Sequence, residues 1–245
     1  MTSQLTEAWR TIMPAKDAPH GPLPGLLVLL TVVTGLVDAF SYLQLGRVFV
    51  ANMTGNVVFL AFAIGGAPGF VWWASLLGIV AFVIGAWVGG RVRALRGSHQ
   101  GRHLLLAVAT QAGFVLVALI AALLFPHPYE TIGLVVLILL LGIGMGLQNA
   151  TARALAVPDL TTTVLTLTIT GISADSRAAG GKDSRIGRRL VSILSMFVGA
   201  VVGALLIVQW DLGWVVILIA LAVLLVIVAF AIPASRSVDA WTARK

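Results

Sequence analysis

The sequence predicts an all-α, polytopic membrane protein with six transmembrane helices and two short re-entrant or broken helical segments. Of its 245 residues, 59% are hydrophobic and only 10% are charged, and the mean hydropathy is +1.04. Soluble domains average about 25% charged residues, so this chain cannot cover a water-facing surface. Apolar runs of about 20 residues recur along it, and each is long enough to cross about 30 Å of hydrocarbon.

Six long apolar stretches mark the predicted transmembrane helices. A polar leader over residues 1–24 precedes them, and Thr2 to Met13 carries apolar residues at the spacing of a helix on the membrane surface. A polar tail over residues 234–245 follows the last stretch. The six stretches are residues 25–46, 71–91, 104–125, 131–152, 190–209 and 212–232.

Two shorter apolar segments, 49–66 and 158–174, are interrupted by polar and small residues. The first contains Asn52-Met53-Thr54-Gly55-Asn56, and the second opens with Pro158-Asp159-Leu160-Thr161-Thr162-Thr163. A proline followed by a polar residue and threonines is typical of a helix start. Residues 158–170 as a helix reach only about 20 Å, short of a full crossing. We therefore expect half-helices that begin within the bilayer.

The basic residues distinguish two topologies. If the short segments return to the side they entered from, both termini are cytoplasmic and only Arg47 lies outside. If all eight segments cross, several more basic residues fall outside. The positive-inside rule favours the first arrangement. The residues that the second arrangement would place outside are Arg47, Arg91, Arg93, Arg96, Arg102 and Arg153.

The two halves, residues 25–126 and 127–233, resemble each other in the same order. Residues 34–39 match 145–150, residues 50–54 match 157–161, and residues 84–89 match 198–203. The last match pairs Gly85 and Gly89 with Gly199 and Gly203, which predicts close helix packing. Each half contains three spans, an odd number, so the two copies are predicted to be inverted, a recurring plan of secondary transporters.

Asp38 lies about 20 Å along the first span. A carboxylate at this depth costs several kcal/mol, and such residues usually line a cavity or relay protons. The alternative is a structural bond to a neighbouring segment. Its match in the second half is the neutral Asn149, with Gln148 beside it. We predict Asp38 as the proton or cation coupling group of a transporter.

Polar groups of the two short segments form the candidate solute site. The N-terminus of a half-helix presents free N–H groups, which favour an anion or a carbonyl. The alternatives are ordinary N-caps, hydroxyls bonded to their own helix, and a pair between Asp159 and Arg153. The predicted substrate-binding residues are Asn52, Thr54, Gly55, Asn56, Gln148, Asn149, Asp159, Thr161, Thr162 and Thr163.

The sequence offers little for catalysis, metals or nucleic acid. It contains no cysteine, and its four histidines fall in the leader or in loops without metal-ligand spacing. No nucleophile elbow or phosphate-binding loop is visible, so we predict neither an enzyme nor a cofactor. The net charge of +7 fits cytoplasmic loops, and no basic patch is interleaved with aromatic residues, so no nucleic-acid partner is predicted.

Two strings carry a resemblance to a known family. They are TGLVDAFSYLQLGRVFVANMTGN at residues 34–56 and GLQNATARALAVPDLTTTVLT at residues 146–166. Both are similar to sequences of the YoaK family of bacterial integral membrane proteins, and the resemblance runs from about residue 25 to residue 232. It implies a six-span bacterial membrane protein with a domain of unknown function, and it implies no activity.

Three functional hypotheses follow from these residues. The first is a secondary transporter of an unidentified small solute in the bacterial inner membrane, with its site near the midplane where the two short segments meet. The second is a non-transporting scaffold or assembly protein, in which the polar residues are caps and interhelical bonds. The third is a channel with the same site and no coupling. The expected partners are the lipid bilayer and the solute, and a homo-oligomer is left open.

Overall fold

The computed structural model describes residues 2–15, 18–96, 98–176, 179–181 and 185–243. These residues form α-helices joined by short loops, with one 3-10 turn at Ala240–Thr242. The helices are α1 (Thr2–Ile12), α2 (Leu23–Gln44), α3 (Met53–Ile64), α4 (Trp72–Arg96), α5 (Gln100–Leu124), α6 (Thr131–Leu155), α7 (Leu165–Ala174), α8 (Ile186–Trp210) and α9 (Gly213–Arg236).

Six of the described helices are long and apolar enough to cross a membrane, which confirms the six predicted spans. They are α2, α4, α5, α6, α8 and α9, and each has between 22 and 25 residues. Several extend past the predicted bounds: α4 continues to Arg96 instead of ending at residue 91, and α8 begins at Ile186 instead of residue 190. The predicted bounds stop at the first arginine, whereas arginine is a good helix former whose charged group can reach water from a helix end.

The two short helices are α3 and α7, and α7 begins later than the sequence predicted. Its first residue is Leu165, so the helix start expected at Pro158 is wrong. Asp159 and Thr162 have φ values of 63° and 64°, in the left-handed region, and a right-handed helix cannot pass through them. At about 18 Å and 15 Å, α3 and α7 are both too short to cross the bilayer.

One end of the helical bundle carries both ends of the chain and is called the termini end. There Gly21 packs on the Trp241 ring, and His99 Nε2 lies 2.9 Å from the Ser237 carbonyl oxygen. Helix α1 lies against the start of α8, where the Gly187 N–H donates to the Glu7 carboxylate at 3.2 Å. The starts of α2, α5 and α8 and the ends of α4, α6 and α9 therefore share this end.

The other end of the bundle, called the opposite end, contains the loops after α2, α3, α5 and α8. His127 Nδ1 lies 3.7 Å from Asp211 Oδ1, which joins two of these loops. Arg47 is the basic residue of this end among the described residues, and the other described arginines lie at or near the termini end. The basic residues that lie outside the described residues are Lys16, Arg177, Lys182, Arg244 and Lys245.

Two glycine-mediated helix crossings form the centre of the bundle. In the first, Gly35 of α2 lies on the Met196 carbonyl of α8, and Gly199 of α8 lies on the Val32 carbonyl of α2. A Cβ atom at either glycine would overlap that backbone, so these contacts require glycine. Such small residues let helix backbones approach closely in membranes, as predicted for Gly199.

The second crossing joins α4 and α6 in the same manner. Gly85 of α4 lies on the Ile143 carbonyl of α6, and Gly146 of α6 lies on the Phe82 carbonyl of α4. Helices α5 and α9 pack against each other and close the bundle beside these two pairs. The crossings hold α2, α4, α6 and α8 around the tips of the two short helices.

Candidate functional site

Residues 45–71, which include α3, form a hairpin that enters and leaves the bundle at the opposite end. The Arg47 guanidinium carbon lies 5.7 Å from the centroid of the Phe70 ring, and Gly69 packs directly on the same guanidinium. Entry and exit points are thus in contact. We call residues 45–71 the aromatic hairpin because stacked rings hold it together.

Ring stacking and one amide fix the aromatic hairpin. The Phe59 ring centroid lies 5.6 Å from that of Phe49 and 5.2 Å from that of Phe70. The buried Asn56 side chain accepts from the Phe49 N–H at 2.9 Å and donates to the Phe49 carbonyl at 2.6 Å. Asn56 therefore satisfies both backbone groups of a residue that lies outside any helix, as buried backbone requires.

Residues 156–176, which include α7, form a second hairpin that enters and leaves at the termini end. Arg189 of α8 bonds both of its arms: Nε lies 2.9 Å from Asp159 Oδ1, and Nη2 lies 2.7 Å from Asp175 Oδ2. Arg185 adds a longer contact of 3.4 Å to Asp159 Oδ2. We call residues 156–176 the ionic hairpin.

A cavity of about 590 Å³ lies between the tips of the two hairpins. The first turns of α3 and α7 both border it, so the N-terminal ends of two half-helices face one space. Phe82 of α4 and Met196 of α8 contribute apolar walls, and Asn149 of α6 contributes an amide. The lining from the hairpins is Ala51, Asn52, Met53, Thr54, Gly55, Val58, Phe59, Thr163, Val164, Leu165, Thr166 and Ile169.

The cavity lining offers hydrogen-bonding groups that the protein leaves unused. The Asn52 side chain makes no capping hydrogen bond at the start of α3. The Thr163 hydroxyl is buried without a partner in the described part of the chain. The first N–H groups of any helix also lack intrahelical acceptors. These groups can donate to a solute oxygen placed between the two helix starts.

Half of the predicted substrate-binding residues border this cavity. They are Asn52, Thr54, Gly55, Asn149 and Thr163. The other five do not border it. Asn56 bonds Phe49, Thr161 donates to the Val164 carbonyl, and Gln148 belongs to a network between helices. Asp159 pairs with Arg185 and Arg189 rather than with Arg153, and Thr162 is buried.

Most of the chain matches the model of one protein family. The model described as "Protein of unknown function (DUF1275)" matches residues 26–230. The chain belongs to this family. The match runs from the first turn of α2 to the last turns of α9 and includes both hairpins, so this DUF1275 chain is a multi-pass membrane protein of an uncharacterised family.

A shorter match joins this DUF1275 chain to a curated relative. The "UPF0700 transmembrane protein YoaK" of Bacillus subtilis (strain 168) is 47% identical over 60 residues, which are 24% of this chain and 27% of the relative. The aligned part thus spans about a quarter of the relative's length. No solved structure matches the chain. The comparisons confirm the family expected from residues 34–56 and 146–166.

Asp38 of this DUF1275 chain lies beside the cavity and holds the tip of the aromatic hairpin. Its Oδ1 accepts from the Ala51 N–H at 3.0 Å, and Ala51 borders the cavity. This is the structural bond that the sequence left as an alternative to coupling. Because Ala51 donates to this carboxylate at the tip of the hairpin, a structural role and a coupling role of Asp38 are compatible.

Gln148 of this DUF1275 chain joins three helices away from the cavity. Its amide nitrogen donates to Thr34 Oγ1 at 2.8 Å, and its oxygen accepts from Gln111 Nε2 at 2.7 Å. Fully bonded buried amides of this kind position helices. Gln148 therefore fixes α6 against α2 and α5, next to the residue that does reach the cavity, Asn149.

Several residues of the DUF1275 site escaped sequence reasoning. Phe82 and Met196 are apolar residues of long spans, and nothing in their local sequence separates them from lipid-facing neighbours. Thr166 is one of several threonines in residues 161–170, and in membranes such hydroxyls more often bond to carbonyls of their own helix. Arg189 lies in a run of basic residues that resembles any cytoplasmic loop, and its pairing needs the folded hairpin.

Proposed function

We propose that this chain is a membrane transporter of a small solute, rather than an enzyme, and that the solute binds in the cavity between the aromatic and ionic hairpins. The observation that carries the proposal is the convergence of two half-helix N-termini, from α3 and α7, on one polar-lined space. Discontinuous helices that meet between the halves of a membrane protein are a recurring plan of secondary transporters.

The chemistry of the lining favours a solute that presents hydrogen-bond acceptors. The described lining contains no Lys, Arg, Asp, Glu or His side chain. Its donors are the first N–H groups of two helices, the amides of Asn52 and Asn149, and the hydroxyls of Thr54, Thr163 and Thr166. Two helix N-termini also place partial positive charge on the cavity, which disfavours cations and favours a carboxylate or a carbonyl.

An inverted repeat supports the transporter hypothesis. The sequence match pairs Gly35 with Gly146 and Gly85 with Gly199, so the crossing of α2 and α8 corresponds to the crossing of α6 and α4. The ionic hairpin opens to the termini end and the aromatic hairpin to the opposite end, as two inverted copies require. We infer that two related halves can rock against each other about the cavity.

We infer that Asp38 couples solute movement to a proton or cation. Its carboxylate holds the Ala51 N–H, so a change in its charge alters the bond that positions the tip of α3. A protonated carboxyl group is a poorer acceptor than a carboxylate. Binding of a proton would therefore loosen the tip, and the neutral Asn149 on the other half would have no such effect.

The orientation proposed is that of a bacterial inner-membrane protein with both termini in the cytoplasm. The described arginines other than Arg47 lie at or near the termini end, and cytoplasmic ends carry the excess of Lys and Arg. The exposed apolar side chains of α4 and α8 would then face lipid.

Cysteine labelling tests both the orientation and the path, because the chain contains no native cysteine. Single-cysteine variants A67C at the opposite end, V238C at the termini end and T54C in the cavity are exposed to impermeant thiol reagents in right-side-out and inside-out vesicles. We expect A67C to react only from outside, V238C only from inside, and T54C from both sides.

The control for cavity access is V83C on the outer face of α4, where Val83 is exposed in the bundle and would face lipid. We expect it to stay unlabelled from either side. A negatively charged reagent should react with T54C faster than a positively charged one. Labelling of T54C from one side only, or from neither, would argue against a transport path and for the scaffold hypothesis.

Flux across reconstituted vesicles tests coupling by Asp38. Proteoliposomes that contain a pH-sensitive dye receive formate, acetate, acetamide or urea, and internal pH and swelling are recorded. Neutral formic and acetic acid cross bilayers unaided, so protein-free liposomes set the background. We expect at least one solute to acidify the vesicles faster than this background, and we expect D38N to abolish the excess while the protein remains folded. Solute entry with unchanged acidification in D38N would remove the coupling role.

One observation favours the alternative of a non-transporting scaffold. Asn56, Gln148 and Asp159 were all candidates for solute binding, and all are engaged in internal bonds that hold segments together. In a scaffold the cavity would be a dead-end cleft. The labelling pattern of T54C separates the two hypotheses because only a transporter needs access from both sides.

A further inference from the structure

A second cavity, of about 350 Å³, lies at the termini end, and its described lining shares no residue with that of the central cavity. Its described lining comes from the end of α1, from residues on the way to α2, from the start of α2, and from the first turn of α8. Its charged lining residues are Arg10 and Arg188, with His20 beside them, and the described lining contains no carboxylate.

Among the described residues, the two arginines of this cavity have no ion-pair partner, unlike their neighbours. Arg185 and Arg189 on the same helix turn pair with Asp159 and Asp175. Arg188 Nε, by contrast, is buried without a hydrogen-bond partner among the described residues. Neither Arg10 nor Arg188 forms an ion pair with a described carboxylate.

Glu7, an acidic residue of α1, forms no ion pair with these two arginines. Glu7 accepts from the Gly187 N–H, so its carboxylate is engaged with the backbone at the start of α8. A buried guanidinium nitrogen without an acceptor costs free energy unless an anion supplies one. The geometry therefore leaves a positive, partly enclosed space with unused donors.

Helix α1 places this cavity at the level of a membrane surface. Leu5, Trp9, Ile12 and Met13 are exposed large apolar side chains on or just after this short helix, while Glu7 and Thr11 face the protein. A helix with one apolar exposed side and Arg10 near its end lies well in the interface between headgroups and acyl chains. Phosphate groups of lipids occupy that layer.

We propose that Arg10 and Arg188 form a binding site for a phosphate group, supplied by an anionic phospholipid headgroup or by a free phosphate ester. The planar guanidinium group binds phosphate oxygens in a bidentate manner, which a lysine cannot reproduce. Basic pockets beside transmembrane helices on the cytoplasmic side are typical sites for such headgroups. The site holds α1 against the starts of α2 and α8.

Native mass spectrometry of the full chain in detergent tests this site. The probes are phosphatidylglycerol, phosphatidylcholine, glycerol phosphate and inorganic phosphate. We expect one phosphatidylglycerol to remain bound to the unmodified protein, and R10Q and R188Q each to weaken its binding roughly tenfold. The matched control is R153Q, which removes one exposed arginine from the same end and should change binding less than about twofold.

The probes separate the two sources of phosphate. Retention of phosphatidylglycerol without binding of glycerol phosphate or inorganic phosphate supports a lipid site, and binding of the soluble probes with the same loss in R10Q supports a phosphate-ester site. R10Q lies on a surface helix, so its result stands even if R188Q fails to fold. Equal weakening in R153Q, or no difference between phosphatidylglycerol and phosphatidylcholine with no soluble probe bound, would overturn the proposal.

Discussion

The two hairpins have the same arrangement but are held in the bundle by different kinds of interaction. Both carry a short helix whose first turn borders the central cavity, and both return to the end from which they entered. The aromatic hairpin, residues 45–71, contains four phenylalanines and no acidic residue, whereas the ionic hairpin, residues 156–176, contains two aspartates and no aromatic residue. Stacked rings hold the first, and ion pairs to Arg189 hold the second.

The difference in chemistry implies a difference in mobility. The doubly bonded amide of Asn56 is buried, the rings of Phe49, Phe59 and Phe70 are half-buried against one another, and neither kind of contact depends on salt. The ion pairs of the ionic hairpin reach water, since the side chains of Arg185 and Asp175 are 47% and 51% exposed. These outer contacts are weak and screened by salt. The pair between Arg189 and Asp159 is the buried one, with side chains 10% and 14% exposed, so one clamp carries most of the attachment. The ionic hairpin is therefore the one suited to move when that clamp opens.

A strained residue in the ionic hairpin agrees with a moving role. The ionic hairpin also contains Thr162, a buried β-branched residue at φ 64°, which is a strained conformation for threonine. Strain of about 1–3 kcal/mol persists only while surrounding contacts enforce it. Release of the Arg189 pairs would let residues 159–164 relax, and this would shift the start of α7 at the cavity.

The largest predicted effect comes from removing the clamp of the ionic hairpin. R189Q leaves Asp159 with only its longer contact to Arg185, and breaking one partner of a buried ion pair costs about 3–5 kcal/mol. We expect hydrogen exchange of residues 165–174 to accelerate strongly in nanodiscs, while exchange of residues 53–64 stays unchanged. Exchange that rises equally in both hairpins would show that they are not independent.

Two variants serve as controls for this prediction. R185Q removes the exposed partner of Asp159 and should cost only about 0–1 kcal/mol. D159N in the R189Q background removes the uncompensated charge, so it should restore part of the lost protection. If D159N does not rescue R189Q, the effect comes from packing around Gly171, which touches the Arg189 guanidinium, and not from charge.

The long helices could be predicted from the sequence because their signal is local. A run of apolar residues near membrane thickness identifies each span, and the charge distribution placed Arg47 alone at one end. The start of α7 could not be predicted in this way. Asp159 is in the left-handed conformation and pairs with Arg189, 30 residues away, and no local pattern encodes that pair or the left-handed Thr162.

The sequence predicted where the cavity lies, but only some of the residues that line it. Polar residues at helix breaks pointed to the hairpin tips, and Asn52, Thr54 and Asn149 do border the cavity. The same reasoning also selected Asn56, whose amide bonds a backbone group seven residues earlier. An asparagine that binds a solute and one that satisfies a buried turn have the same local sequence, so only the fold distinguishes them.

A smaller effect is predicted for the matching change in the aromatic hairpin, N56A. The variant leaves the Phe49 N–H and carbonyl without partners, which costs about 1–3 kcal/mol, yet the stacked rings of Phe49, Phe59 and Phe70 remain. We expect faster hydrogen exchange of residues 45–64 and a modest fall in thermal stability. The control is N52A, in the same hairpin, which loses no capping bond and should leave both measurements unchanged. A collapse of stability in N56A larger than that in R189Q would reverse the comparison, because it would make the amide, not the rings, the principal support of the aromatic hairpin.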